Sequence, residues 1–180
     1  EEYAFQNCSA LTTVTFKDNS QLKTIGVSAF QTCTSLSSIT IPASVTSIRN
    51  SAFYNCISLT TVTFNGVSER ITIGDGAFES FLETVTFAGT SNDVPTIGAS
   101  AFSDCASLAT INIPTAQGYG GGNWPTGVNY IVRGAEGQKN TTYRHVIVNK
   151  SGGDTTCTVT PGTSLAWVGG SVTLAAATGS

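Results

Sequence analysis

Five cysteines, one histidine and a thin scatter of carboxylates are the side chains here that could ligate a metal, attack a substrate or move a proton. Zinc would need paired ligands such as Cys-x-x-Cys, and that spacing does not occur. The single histidine, His145, has no second imidazole to work with. Asp104 and Glu79 fall in corresponding loops, each without the paired carboxylate that acid–base chemistry asks for. The glycines of Gln117 to Trp124 are not followed by Lys-Ser or Lys-Thr, so they do not form a phosphate-cradling loop. Asn7-Cys8-Ser9, Asn140-Thr141-Thr142 and Asn149-Lys150-Ser151 match the glycosylation sequon, which matters only in a eukaryotic secretory pathway. These residues give no catalytic or metal site, and no cofactor is expected.

The cysteines have regularity instead of chemistry. Cys8, Cys33, Cys56 and Cys105 each stand three residues after an Ala-Phe pair. The pairs are Ala4-Phe5, Ala29-Phe30, Ala52-Phe53, Ala77-Phe78 and Ala101-Phe102, at steps of 23 to 25 residues. A leucine and an alternating stretch follow each pair: Leu11-x-x-Val14-x-Phe16, Leu36-x-x-Ile39-x-Ile41, Leu59-x-x-Val62-x-Phe64, Leu82-x-x-Val85-x-Phe87 and Leu108-x-x-Ile111-x-Ile113. This is the core pattern and the period of a leucine-rich repeat. Alternation sends Ile39 and Ile41 to one face and Thr40 to the other. One unit of about 24 residues buries too little apolar surface to offset its ordering entropy, whereas stacked units cover one another.

A second short apolar stretch precedes each pair, as in Leu22–Ile25, Val45–Ile48, Ile71–Ile73 and Val94–Ile97, and is expected to form the opposite wall of the coil. The Ala-Phe segment is expected to make one helical turn or slightly more. "NGVSER" and "AGTSND" read as polar turns that absorb changes of length. The recurring cysteine is read as a small buried hydrophobe in a column of free thiols; disulfides between adjacent coils are the alternative. The fourth copy, "AFESFLETVTF", lacks two residues, and Phe81 is expected to fill the volume of its missing cysteine.

The phrases "IGVSAFQTCTSLSSITIP" (Ile25 to Pro42) and "IGASAFSDCASLATINIP" (Ile97 to Pro114) closely resemble the BspA-like leucine-rich repeats, also called the Treponema pallidum type. The resemblance covers residues 1–116. It implies a repeat solenoid, a right-handed β/α coil with a concave parallel sheet. It also implies a secreted or cell-surface protein of a host-associated microbe, often binding extracellular matrix or other cells. The family shares no catalytic residues, so none is carried over.

Three stretches follow from this reading. Residues 1–116 hold about five repeats, the first one truncated, so the chain reads as a piece of something longer. Residues 117–150 form a Gly-rich connection and capping strands within "GVNYIVR" and "TYRHVIVNK". Residues 151–180 are a β-rich tail around Cys157 that resembles the start of a bacterial immunoglobulin-like domain, or else packs onto the repeats.

With 8 basic and 11 acidic residues among 180, the chain has no basic stripe for nucleic acid. No apolar run is long enough to span a membrane. The residues between the buried ones of each strand form two outward columns: Thr13, Ser38, Thr61, Thr84 and Thr110, and Thr15, Thr40, Thr63, Thr86 and Asn112. Thr suits any solvated parallel sheet, but the same hydroxyls offer many weak donors and acceptors to a ligand. The columns lack aromatic platforms, which favours a protein partner over a glycan. The expected function is a non-enzymatic adhesion module for host or matrix protein; the alternative is a spacer or stalk displaying other domains.

Overall fold

A computed structural model describes residues 1–66, 70–88, 94–114, 123–125, 128–132 and 141–144. His145, Cys157, the sequon asparagines Asn140 and Asn149, most of the Gly-rich connection and the tail 151–180 lie outside the described residues.

Among the described residues ten strands make two sheets. The short strands β1 (Thr24–Ile25), β3 (Ser47–Ile48), β5 (Thr72–Ile73) and β7 (Thr96–Ile97) pair in parallel in chain order. The longer β2 (Ser38–Ile41), β4 (Thr61–Phe64), β6 (Thr84–Phe87) and β8 (Thr110–Ile113) form the second sheet, also parallel and in chain order. From β1 to β8 each successive coil contributes one strand to each sheet, so the chain winds as a β-solenoid of about four stacked coils. Beyond β8 the larger sheet continues with β9 (Asn129–Val132), parallel to β8, and ends on β10 (Thr141–Arg144), antiparallel to β9. Strands were expected in both of these segments; among the described residues β10 is the edge strand on this side of the sheet.

The core lies between the sheets. Val62, Val85 and Ile111 are fully buried, and Ile41, Phe64, Phe87 and Ile113 nearly so. Beneath them runs a ladder of phenylalanines. Phe5, Phe30, Phe53, Phe78 and Phe102 stack face to face with successive centroid separations of 5.1, 5.2, 5.0 and 5.7 Å. The repeat places one ring per coil at one level, and the coil spacing sets the stacking distance.

The helical turn expected around each Ala-Phe pair is not formed, and no helix occurs among the described residues. Ser28 and Thr32 take positive φ (50° and 59°), as do Ser51 and Asn55, and Ser100 and Asp104. Left-handed residues four apart break the right-handed run a helix needs. The N–H groups of Ser28, Phe30 and Thr32 point at the next coil and donate to the carbonyls of Asn50, Ala52 and Tyr54 at 3.1, 2.8 and 2.9 Å. The intervening Ala29, Gln31 and Cys33 close turns onto residues three back. This wall is a hydrogen-bonded ladder of turns, and its inter-coil bonds compensate the cost of the left-handed positions.

Two further expectations change. Leu11–Phe16 is not a strand and makes no backbone hydrogen bond to β2; the first coil is tied on through its turn, where Tyr3, Phe5 and Asn7 donate to Val27, Ala29 and Gln31. Phe81 does not fill the cysteine slot. It is 53% exposed, while Ser80 and Leu82 on either side are buried. The two-residue deletion straightens this segment into in–out–in alternation, which turns Ser80 inward and Phe81 to solvent.

Candidate interaction face

The larger sheet places the two columns as a register of backbone pairs. Ser38 pairs with Thr61, Thr61 with Thr84 and Thr84 with Thr110. Two residues along, Thr40 pairs with Thr63, Thr63 with Thr86 and Thr86 with Asn112. The next register positions, on β9, are Asn129 and Ile131. Strict alternation with buried Val, Ile or Phe holds Ser38, Thr40 and the half-exposed Thr61, Thr63, Thr84, Thr86, Thr110 and Asn112 on the outer face. Adjacent strands stand about 4.8 Å apart, so neighbouring hydroxyls are within reach of one partner surface. Asn112 Nδ2 donates to Thr86 Oγ1 at 3.1 Å, linking two members directly. No column residue carries a charge. Thr13 and Thr15 are exposed but stand outside the sheet, because their segment is unpaired.

The cysteine column is structural. Cys33 and Cys56 are buried, Cys105 is half-buried, and all four repeat cysteines are free thiols. Each inner thiol donates to a phenylalanine carbonyl of the preceding coil: Cys33 to Phe5 at 3.1 Å, Cys56 to Phe30 at 3.0 Å and Cys105 to Phe78 at 3.1 Å. Burial pushes the Cys56 thiol up to about 12, and it raises Cys33 and Cys105 in the same direction. Protonated thiols of this kind are poor nucleophiles and poor metal ligands. Cys8 departs from the expectation: it is exposed. Among the described residues, no three His, Cys, Asp or Glu side chains come together as a metal site.

One positioning device escaped the sequence reading. Asn50 Oδ1 accepts the Asp75 N–H at 3.2 Å, and Asp75 Oδ1 accepts the Ala99 N–H at 2.8 Å. These side chains bridge coils where the chain leaves the small sheet. The glycines just before this point serve the same close approach. A Cβ on Gly74 would sit 2.5 Å from Asn50 Oδ1 and 2.7 Å from its backbone nitrogen. The signal in the sequence was the short polar residue two places after Ile48 and Ile73.

Stacked parallel strands, a wall of turns and an uncharged outer face define a repeat scaffold of the leucine-rich class. A family profile described as the BspA type leucine-rich repeat region matches residues 1–119 in six copies, one more than the five counted from the Ala-Phe pairs, and the chain belongs to that family. No curated protein and no solved structure matches it. Repeats of this family are in general non-enzymatic scaffolds for protein interaction. No helix among the described residues is long and apolar enough to cross a membrane.

Proposed function

We propose that the chain is the binding part of a secreted or cell-surface adhesion protein, whose partner is a host-cell or extracellular-matrix protein lying across the larger sheet. The observation that carries this reading is the unbroken register of Ser38 to Thr110 and Thr40 to Asn112 over four parallel strands. A partner meets side chains fixed by a rigid, continuous scaffold, so little ordering entropy is lost on binding. The hydroxyls supply many small donors and acceptors, and the absence of charge keeps desolvation inexpensive.

The test begins with a pull-down from host matrix extract using the intact chain. Thr40, Thr63 and Thr86 are then replaced together by Glu. The control is the same change at Lys23, Thr46 and Thr72, which succeed one another along the opposite wall through the Thr46 N–H to Lys23 and Thr72 N–H to Thr46 bonds. Loss of the captured partner in the first variant alone supports the reading. Equal capture by both removes the larger sheet as the site and leaves a spacer that displays other domains.

A further inference from the structure

The connections between the two sheets differ in length. Seven residues (17–23) lead from Phe16 to β1, five (42–46) from β2 to β3 and seven (65–71) from β4 to β5. The second coil is thus the short one between two longer neighbours. Beside this short connection the structure has a groove of about 500 Å³. Its lining comes from three successive coils: Val14–Ser20 of the first, Thr40 and Pro42–Ser44 of the second, and Asn65 of the third. That volume lies inside the roughly 300–1,000 Å³ range of small-molecule sites. In repeat proteins, insertions on one face commonly build the binding loops.

The lining selects the ligand class. Thr15, Thr40, Ser20, Asn19 and Asn65 offer hydroxyl and amide groups that both donate and accept. Phe16 stands at the position where Ile41, Phe64, Phe87 and Ile113 are buried, yet it keeps part of its surface open to the groove. With Pro42 and Ala43 it gives an apolar patch beside the polar groups. Ser44, another lining residue, has an Oγ with almost no contact with solvent and no hydrogen-bond partner. Lys17 and Asp18 cancel in formal charge, which disfavours phosphate or an acidic peptide. Thr40 of the edge strand β2 and the unpaired Val14–Phe16 segment also line the groove, so an extended peptide is the competing occupant, and failure of every sugar to bind would favour it.

The geometry points to a binding site for a neutral saccharide in this groove: hydroxyls meet the amides and threonines, and a C–H face of the sugar rests on Phe16 and Pro42. The site does not depend on a protein partner for the larger sheet, although Thr40 borders both.

Saturation-transfer NMR on the full chain tests this with lactose, cellobiose and di-N-acetylchitobiose, each in millimolar excess. Transfer to at least one disaccharide is expected. Ala43→Trp replaces an exposed turn residue, fills the groove and should abolish the transfer. Asn65→Ala removes one neutral hydrogen bond and should weaken binding about fivefold. Thr63→Glu with Thr86→Glu alters the sheet face but not the groove and should leave the transfer intact. Circular dichroism confirms that each variant is folded; should Ala43→Trp not fold, Asn65→Ala decides. Transfer to none of the three sugars, or transfer unchanged in both groove variants, overturns the assignment.

Discussion

Replacing Phe53 by Ala strikes the middle of the phenylalanine ladder. The ring has no solvent exposure and stacks on both sides, on Phe30 at 5.2 Å and on Phe78 at 5.0 Å with interplanar angles of 3° and 2°. Deleting a buried phenylalanine costs about 3–5 kcal/mol. Two stacked contacts, worth about 0.5–1.5 kcal/mol each beyond area, place this position at the upper end of that range. In a stack of coils the damage falls on two interfaces at once, because stability is close to a sum of nearest-neighbour terms. Phe5 belongs to the same ladder but is 47% exposed and has a neighbour on one face only. Phe5→Ala should therefore cost about 1–2 kcal/mol. Urea unfolding followed by far-ultraviolet circular dichroism measures both, with Phe53→Leu, at about 1 kcal/mol, as a milder step should the alanine variant fall below the folding threshold. A cost for Phe53→Ala under about 2 kcal/mol, or equal costs at Phe53 and Phe5, would refute a ladder whose energy resides in stacked coil interfaces.

Phe81→Ala, in contrast, should change stability by less than about 0.5 kcal/mol, the range of surface sites; the same unfolding experiment checks it. Cys8 should react promptly with a thiol reagent in the native protein, and Cys33 and Cys56 only after unfolding, which colorimetric thiol counting reads directly. The Cys56 thiol is raised from 9.0 to about 12, so the folded chain keeps a proton that the unfolded chain gives up. Its contribution is full below pH 9 and is lost as pH rises from 9 toward 12, at about 1.4 kcal/mol per pH unit; the difference between wild type and Cys56→Ala across that window measures it. Gly74→Ala should destabilise by about 1–3 kcal/mol, because the new methyl meets Asn50 Oδ1 and backbone, and a shift of the unfolding midpoint reports it.

Periodicity alone determined the four parallel strands β2, β4, β6 and β8 of the larger sheet. Ile39, Val62, Val85 and Ile111 recur at one place in each unit, alternation fixes which side faces inward, and the register of Thr40, Thr63 and Thr86 follows once equal units are stacked. The reason is that every coil repeats the same local problem and has the same solution. What depended on neighbours was not legible. The Ala-Phe segment is near in length to a helical turn, and only the carbonyls of the next coil make two left-handed residues worth their cost. Phe81 and Ser80 are adjacent and both can fill a slot; two missing residues decided which one turns inward. Leu11–Phe16 carries the strand pattern without pairing as a strand, because a pattern supplies a face but not the partner that closes it. The groove over Pro42–Ser44 belongs to no single repeat. Its lining comes from Val14–Ser20, Thr40, Pro42–Ser44 and Asn65 of three successive coils, which meet only when the coils are stacked.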